Sequence, residues 1–344
     1  MNYIQIKFLN ILLLINLVVN ALVFFSTNAE ADSSATILMY HRFGEANYPS
    51  TSITLKQLDK HISELSSKDY NVLPVKNIIN AIQGGKNLPD RTIGITVDDG
   101  YLSVYTHAWP KFKKAGLPFT VFIATAPIDR GSANYMSWDQ IRALKKGGVE
   151  IGAHTTSHNH MPTSENKRNQ FELLNSNSRI FKEIGHVPYL FAYPFGEAST
   201  NIQKQVIKAG YKMAFGQHSG VVNPSTDFKY IPRFSLNENY GGLERLRLIL
   251  NALPLPVKDI TPADPMIKTH NPPNFGFTVS LSIKNLNRLS CFSTNEGRLR
   301  IERIDHRIEI RMIKPFPKGR TRINCTLPGP NKRWRWLGRL FVVP

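Results

Sequence analysis

The sequence predicts an α/β fold with a mainly parallel β-sheet, followed by a smaller antiparallel β-sandwich. From residue 36 to about residue 253, short apolar runs alternate with amphipathic stretches, which is typical of repeated β-α units. From residue 275 onward, several short segments alternate apolar and polar residues, which is typical of antiparallel strands with one solvated face. The parallel sheet is expected to be either open or closed into a barrel.

The first part of the chain supplies strands and helices in turn. The predicted strands are ATILMY, RTIGITV, PFTVFIAT, VEIGAH, PYLFAYP and KMAFGQ. Helical patterns lie between them, in LKQLDKHISELSSK, YTHAWPKFKKAG, WDQIRALKKGG, QFELLNSNSRIFKEIG and NIQKQVIKAG. Reactive groups gather at the carboxyl ends of parallel strands, so polar residues directly after these strands are the first candidates for a functional site.

Residues 1–31 are predicted to be a signal peptide. Lys7 precedes an apolar run from Phe8 to Phe25, and an A-x-A pattern ends at Ala31. An uncleaved membrane anchor is the alternative, because the run approaches the length of a membrane span. In both cases we expect an extracytoplasmic protein that is periplasmic, secreted or anchored facing outward.

The pattern changes near residue 253. Residues 254–264 are rich in proline and are predicted to be a linker. Residues 265–344 are then predicted to form a basic, β-rich accessory domain, since residues 260–344 carry a net charge of +11 out of +18 for the chain. Basic and aromatic residues interleave in NKRWRWLGR, so an anionic cell-surface polymer or a membrane surface is the expected partner, with a merely solvated surface as the alternative. Nucleic acid is not expected, because an exported chain without a recognition motif has no means to reach and read it.

The chain has two cysteines, Cys291 and Cys325, and both lie in this last region. In an oxidising compartment, two cysteines of one domain are expected to form a disulfide bond. Two thiols without further cysteines nearby make a poor zinc site, which favours the structural interpretation.

Two motifs predict a metal-dependent active site. Asp98 and Asp99 follow the strand RTIGITV, and His154 follows VEIGAH, with His158 four residues later. Two imidazoles that share a face, as they would on a helical turn, can bind one divalent ion together with a carboxylate. The second carboxylate then stays free to accept a proton, and the cation offsets the repulsion between the aspartates. Either motif alone also fits an ordinary turn, whereas their common position after strands favours a site.

These segments resemble the polysaccharide deacetylase family, the NodB-homology domain of carbohydrate esterase family 4. TVDDGY, HTTSH and FAYPFG resemble its first three motifs and occur in family order. The resemblance implies a distorted (β/α) barrel over residues 32–253 and a metal-dependent removal of acetyl groups from N-acetylated sugars. It implies that Asp98 is the catalytic base and that Asp99, His154 and His158 bind the metal, most commonly zinc, with cobalt or nickel as alternatives.

The resemblance implies further roles around this centre. The backbone N–H of Phe195 is expected to stabilise the oxyanion, and Tyr101, Pro194 and Arg233 are expected to contribute to substrate binding. The family's third motif has an arginine where this chain has Ala192. That arginine normally holds the catalytic aspartate, and Arg233 in YIPRF is the predicted replacement.

The general acid has two candidates, because we find no clear late L-x-H motif. They are His41 in LMYHRF and His218 in FGQHSG. Family members that act on poly-β-1,6-N-acetylglucosamine carry the acid histidine before the DD motif in a MYH context, which favours His41. His160 lies off the motif and is interpreted as a residue of the surface or behind the metal ligands.

The predicted function is therefore deacetylation of an extracytoplasmic polysaccharide of the poly-N-acetylglucosamine type, with release of acetate. Peptidoglycan is the alternative substrate. An inactive glycan-binding protein and a structural surface protein led by the basic domain are the other classes considered. The missing arginine at Ala192 favours a binding protein, whereas the Asp-Asp and His-x-x-x-His motifs favour an enzyme.

Overall fold

A computed structural model describes residues 33–344. The predicted signal peptide or anchor therefore lies outside the described residues. Within the described range, every helix is too short or too polar to cross a membrane.

Eleven strands lie in the first two thirds of this range. Their bounds are β1 (Ala35–Tyr40), β2 (Arg42–Phe43), β3 (Ser52–Ile53), β4 (Asn71–Val72), β5 (Thr92–Val97), β6 (Thr120–Ile123), β7 (Glu150–Ala153), β8 (Leu190–Ala192), β9 (Met213–Phe215), β10 (Val221–Val222) and β11 (Phe234–Ser235).

The α-helices described by the structure alternate with these strands. Their bounds are α1 (Leu55–Leu65), α2 (Val75–Gln83), α3 (Trp109–Lys114), α4 (Thr125–Asp129), α5 (Trp138–Lys146), α6 (Asn166–Ile184), α7 (Thr200–Lys208) and α8 (Leu243–Leu250). Thr54 and Ser137 begin α1 and α5 with complete capping boxes, each closed by a glutamine three residues later. The caps satisfy backbone N–H groups that have no partner inside the helix.

Nine of the eleven strands form one curled sheet with the order β10-β1-β5-β6-β7-β8-β9, in which β4 pairs with β5 and β11 pairs with β1. All neighbours from β1 to β9 in that order run parallel. Backbone hydrogen bonds join β9 to residues 228–231, just before β11, and so connect the two ends of the sheet. This confirms the predicted distorted (β/α) barrel.

The barrel strands are buried on both faces because they consist mainly of apolar and β-branched residues. Every residue of β1 and β5 is buried. Polar side chains that follow the strands therefore collect at the carboxyl-end rim of the barrel, where parallel strands present their reactive groups.

The C-terminal strands form two antiparallel sheets over one apolar core. They are β12 (Leu253–Pro254), β13 (Val257–Thr261), β14 (Phe275–Val279), β15 (Ser290–Ser293), β16 (Gly297–Arg298), β17 (Arg300–Ile304), β18 (Arg307–Arg311), β19 (Gly319–Pro328) and β20 (Trp334–Val343). The sheet orders are β12-β20-β19-β15-β16 and β13-β14-β18-β17, with the β12–β20 pair alone parallel among these described strands. Cys291 and Cys325, on the paired strands β15 and β19, form a disulfide bond.

Residues 254–264, for which the sequence predicts a linker, contain ordered strands instead. β12 pairs with β20 and β13 pairs with β14, and both lie at the edges of their sheets. Edge strands tolerate proline because one side of the strand makes no ladder hydrogen bonds. Residues 33–344 accordingly form one compact unit.

The basic and aromatic segment NKRWRWLGR packs partly against the rest of the protein, while its Lys332 and Trp334 side chains are exposed. The Trp336 ring packs against Phe234 of the barrel at a centroid distance of 5.3 Å. Arg333 binds the Asp90 carboxylate at 2.8 Å, and Arg339 donates to the Ala263 carbonyl at 2.7 Å. The segment therefore holds the sandwich against the barrel, because its alternating side chains lie on the strand that meets the barrel.

Candidate active site

The structure brings the predicted residues together at the rim of the barrel. His41 follows β1, Asp98 and Asp99 follow β5, and His154 follows β7. Phe195 lies three residues beyond the end of β8. Each strand end supplies one or two side chains, as the sequence predicts.

Asp99, His154 and His158 form a compact group of ligand atoms. Asp99 Oδ1 lies 3.2 Å from Nε2 of His154 and 3.2 Å from Nε2 of His158. One ligand atom from each of the three residues lies within 4.8 Å of the other two. One carboxylate oxygen and two imidazole nitrogens converge here, which is a common donor set for a divalent metal ion.

The hydrogen bonds of the group fit a cation. His154 Nδ1 donates to the Ala192 carbonyl at 2.7 Å, because a carbonyl oxygen can only accept. In the neutral ring, Nε2 then presents its lone pair toward Asp99. His154 Nε2 and Asp99 Oδ1 are buried and have no hydrogen-bond partner of suitable geometry. Two buried acceptor atoms without a donor are costly unless a cation satisfies both.

The electrostatics agree with this arrangement. Burial raises the pKa of Asp99, but the His154 and His158 imidazoles, each 3.2 Å from its carboxylate, outweigh burial and hold that pKa well below its usual value. Burial lowers the pKa of His154, yet Asp99 and Asp98 raise it above its usual value overall. The negative field at this point is therefore strong, as a cation site requires.

The two histidines are brought together by a strained loop and not by the helical turn that their spacing suggests. Residues 154–160 have no helical structure, and Thr155 and His158 adopt positive φ angles of 64° and 58°. Asp99 has a φ of 75°. Left-handed conformations of non-glycine residues cost energy and persist only where the surroundings enforce them.

Glu172 of α6 enforces this loop, and sequence reasoning missed it. Its carboxylate accepts from the backbone N–H groups of Thr156 at 2.9 Å and Ser157 at 2.7 Å, and from the Ser157 hydroxyl at 2.6 Å. Glu172 is fully buried. In the sequence it is one acidic residue on an amphipathic helix, a pattern that usually indicates a solvated face, so no local signal identified it.

Asp98 is held by a different partner from Asp99. Arg233 donates from Nη1 to Asp98 Oδ1 and from Nη2 to Oδ2, each at 2.7 Å, and both side chains are 0% exposed. Burial raises the pKa of Asp98, but the charge of Arg233 and its hydrogen bonds lower that pKa below its usual value. The contact predicted for Arg233 with the aspartate is present. Its predicted role in substrate binding stays a prediction, and the enclosed guanidinium gives it no exposed surface.

Arg233 is itself fixed on every side. Its Nε donates to the Gly216 carbonyl at 2.9 Å and its Nη1 to the Thr96 hydroxyl at 3.0 Å. Position 192, where the family motif has an arginine, is an alanine in this chain. The guanidinium that contacts Asp98 comes instead from Arg233, directly before β11.

His41 lies beside the aspartates and His218 does not share that position. His41 Nε2 is 4.0 Å from Asp98 Oδ2. Burial lowers the pKa of His41, while the nearby Asp99 and Asp98 oppose this shift.

His218 lies elsewhere. Its ring packs against Tyr230 at a centroid distance of 4.4 Å and lines a cavity of about 360 Å³ between barrel and sandwich. Burial, together with Arg339, Arg233 and Arg322, lowers the pKa of His218 to about 3, which disfavours the protonated form that a general acid needs.

The remaining predicted residues differ in exposure. Phe195 is half-buried, and its ring contacts His158 at 4.4 Å and stacks on His160 at 3.8 Å. Tyr101 is half-buried under the guanidinium of Arg42, 3.4 Å from the ring centroid. Pro194 is buried, so its predicted role in substrate binding has no exposed surface to support it.

The comparisons with known proteins agree with the fold. Residues 85–214 match the family model described as polysaccharide deacetylase. Among solved structures, the Streptococcus pyogenes deacetylase PplD in complex with acetate superposes with a TM-score of 0.59 at 19% identity, covering 63% of this chain and 98% of that one. IcaB from Ammonifex degensii superposes with a TM-score of 0.56 at 22% identity, covering 63% and 97%. The barrel therefore has the fold of these deacetylases, and its residues 85–214 match the family model.

Two curated proteins are similar to this chain over about 60% of its length. The putative polysaccharide deacetylase YxkH of Bacillus subtilis is 25% identical over 214 residues, covering 62% of this chain and 75% of the relative. A poly-β-1,6-N-acetyl-D-glucosamine N-deacetylase of Staphylococcus aureus is 26% identical over 238 residues, covering 60% and 80%.

Proposed function

We propose that this protein removes N-acetyl groups from an extracytoplasmic polysaccharide of the poly-β-1,6-N-acetylglucosamine type and releases acetate. One observation carries the proposal: adjacent aspartates have separate partners, Asp99 with two histidines and Asp98 with Arg233. A hydrolase needs both a ligand carboxylate and a free base, whereas a binding protein needs neither. The S. aureus relative supports the substrate class.

Asp99, His154 and His158 would hold the metal ion in this proposal. We propose zinc, because imidazole nitrogens and one carboxylate suit it, with cobalt and nickel as alternatives. When bound, the ion would polarise the acetamide carbonyl and lower the pKa of a water molecule.

The side chains around the ion would then move the protons. Asp98 accepts a proton from the attacking water, and Arg233 keeps its carboxylate ionised and oriented. The water oxygen bonds to the carbonyl carbon, and the backbone N–H of Phe195 stabilises the developing oxyanion. His41 donates a proton to the sugar nitrogen as the C–N bond breaks, so the products are acetate and a glucosamine unit.

The alternative of an inactive glycan-binding protein is weaker than the sequence suggests. The absence of an arginine at Ala192 was its one supporting feature, and Arg233 supplies a guanidinium to Asp98 instead. Docking on an anionic polymer or membrane surface stays a prediction for the sandwich. All three arginines of the NKRWRWLGR segment bind other parts of the protein, so the prediction now depends on Lys332 and on cations outside the segment.

Acetate release from oligomers of defined linkage tests the proposal. The purified protein is incubated with β-1,6- and β-1,4-linked N-acetylglucosamine oligomers, with and without a chelator. We expect acetate from the β-1,6 oligomer, loss of activity with the chelator and recovery with added zinc. Faster release from the β-1,4 oligomer would instead favour peptidoglycan-type glycan as substrate. No acetate from either oligomer in the zinc-loaded protein would contradict the deacetylase assignment.

A further inference from the structure

One arginine of the C-terminal sandwich reaches the rim of the active site. Arg320 of β19 donates from Nη1 to the Phe195 carbonyl at 3.1 Å. Its guanidinium carbon lies 5.5 Å from the centroid of the Phe195 ring, and its Nε lies 3.6 Å from Oε1 of Glu197. The sandwich thus contacts the turn Pro194–Gly196, which carries the proposed oxyanion donor.

Glu197 connects the same arginine to the loop of the metal ligands. This carboxylate is only 4% exposed, and its Oε2 lies 2.8 Å from Nδ1 of His160. His160 stacks flat on the Phe195 ring, with an angle of 2° between the planes. A buried carboxylate is costly without partners, and here one oxygen faces His160 while the other faces Arg320.

The turn requires such support because its backbone is unfavourable. Phe195 has a φ of 60°, and Gly196 follows with a φ of 70°. A Cβ on Gly196 would lie 2.4 Å from Gln217 Cβ, so the turn is also packed closely against the segment after β9. A phenylalanine in the left-handed region relaxes unless surrounding contacts hold it.

We propose that Arg320 is a positioning residue for the deacetylase reaction. Through the Phe195 carbonyl and Glu197 it fixes the Pro194–Gly196 turn relative to the loop of His158 and His160. In this proposal the sandwich packs beside the active site and also supplies a side chain that orients it. This inference rests on the proposed function, because it concerns the orientation of the Phe195 N–H toward an acetamide oxygen.

A matched pair of variants tests this inference. Arg320→Ala removes the contact with the turn. Arg333→Ala removes another contact between sandwich and barrel, in which Arg333 binds Asp90 at 2.8 Å and the Asn251 carbonyl at 2.8 Å. Asp90 lies just before β5, at the opposite end of that strand from Asp98, so the control leaves the rim unchanged.

We expect kcat of Arg320→Ala to fall about tenfold to a hundredfold, because small displacements of a donor cost this much. KM should change little, since Arg320 does not bind the sugar. Arg320→Lys should recover part of kcat, because an ammonium still donates one hydrogen bond. Arg333→Ala should keep kcat. In the metal-free proteins, hydrogen exchange at residues 195–197 should be faster in Arg320→Ala and unchanged in Arg333→Ala.

Two results would overturn the inference. One is equal kcat values for the two alanine variants, which would mean that Arg320 only helps to attach the sandwich. The other is unchanged hydrogen exchange at residues 195–197 in Arg320→Ala. Failure of the proposed function is distinguishable from both, because the wild-type protein itself would then release no acetate.

Discussion

At the scale of single residues, the site depends on what each of two neighbouring carboxylates contacts. Asp98 and Asp99 are adjacent in sequence, and both have pKa values below the usual one, but for different reasons. Arg233 lowers the pKa of the first, and two histidines lower that of the second. Asp98 directly follows the strand, whereas Asp99 lies in the turn after it with a φ of 75°, and each carboxylate reaches its own partners.

The position of His41 predicts that it, and not His218, is the general acid. Replacing His41 by alanine should lower kcat about a hundredfold or more, because a positioned proton donor contributes this much. Replacing His218 by asparagine should leave kcat within a few-fold of the wild type. Acetate release under saturating substrate measures both values. The reverse order of the two effects would exclude His41 as the acid.

The buried pair of Arg233 and Asp98 predicts a large effect on folding. Arg233→Met keeps much of the side-chain volume but leaves Asp98 without a counter-charge in a fully buried position. Breaking such a pair costs about 3–5 kcal/mol of folding free energy. Urea denaturation of the metal-free protein measures it. The double variant Arg233→Met with Asp98→Leu should recover part of the loss, since it removes the unpaired charge.

Equal stability of Arg233→Met and the wild type would contradict this account of the pair. It would mean that water or another cation reaches Asp98 when the guanidinium is removed.

At the scale of elements, local sequence predicts the strands and helices of the barrel well, and it predicts the segment between barrel and sandwich poorly. β1 spans the six residues of ATILMY, and α5 begins at Trp138, the first residue of the predicted helix WDQIRALKKGG, because burial and helical patterns are local signals. The edge strands β12 and β13 were not predicted, since prolines near them resemble a linker. The loop of His154 and His158 was not predicted either, because its positive φ angles depend on Glu172 from a distant helix.

The contact between β20 and the barrel predicts that Gly338 cannot carry a side chain. A Cβ at this position would lie 2.0 Å from the Ser219 carbonyl oxygen, so strand and loop would have to separate. Gly338→Ala should destabilise the protein by at least about 1–3 kcal/mol, the usual cost of overpacking. Thermal or urea unfolding measures the change. An unchanged midpoint would show that β20 does not approach Ser219 so closely in solution.

At the scale of the whole molecule, the sandwich contributes to the barrel more directly than its composition suggests. Its excess of positive charge predicts an outward binding surface. In the structure, three of its cations, Arg333, Arg339 and Arg320, contact the barrel or the segment that joins the two parts. Sequence cannot distinguish these roles, because a strand with alternating cations looks the same whether it faces solvent or a neighbouring carbonyl.

The candidate site was predicted largely from the sequence because its residues follow strands in recognisable motifs. Asp99, His154 and His158 were grouped correctly, although the reason given for the histidine spacing was wrong. Glu172, Glu197 and Arg320 were missed because each acts through a contact between distant segments. No local pattern marks a residue whose role depends only on such a contact.

The central claim is that Asp99 holds the metal ion while Asp98 accepts the proton. Zinc content and acetate release, measured together in Asp98→Asn and Asp99→Asn, test it most directly. We expect Asp98→Asn to retain about one zinc ion per chain and to lose turnover, because a neutral amide cannot act as the base. We expect Asp99→Asn to lose both, because the carboxylate ligand is gone. Acetate release at the wild-type rate in Asp98→Asn, or full zinc binding in Asp99→Asn, would contradict the claim.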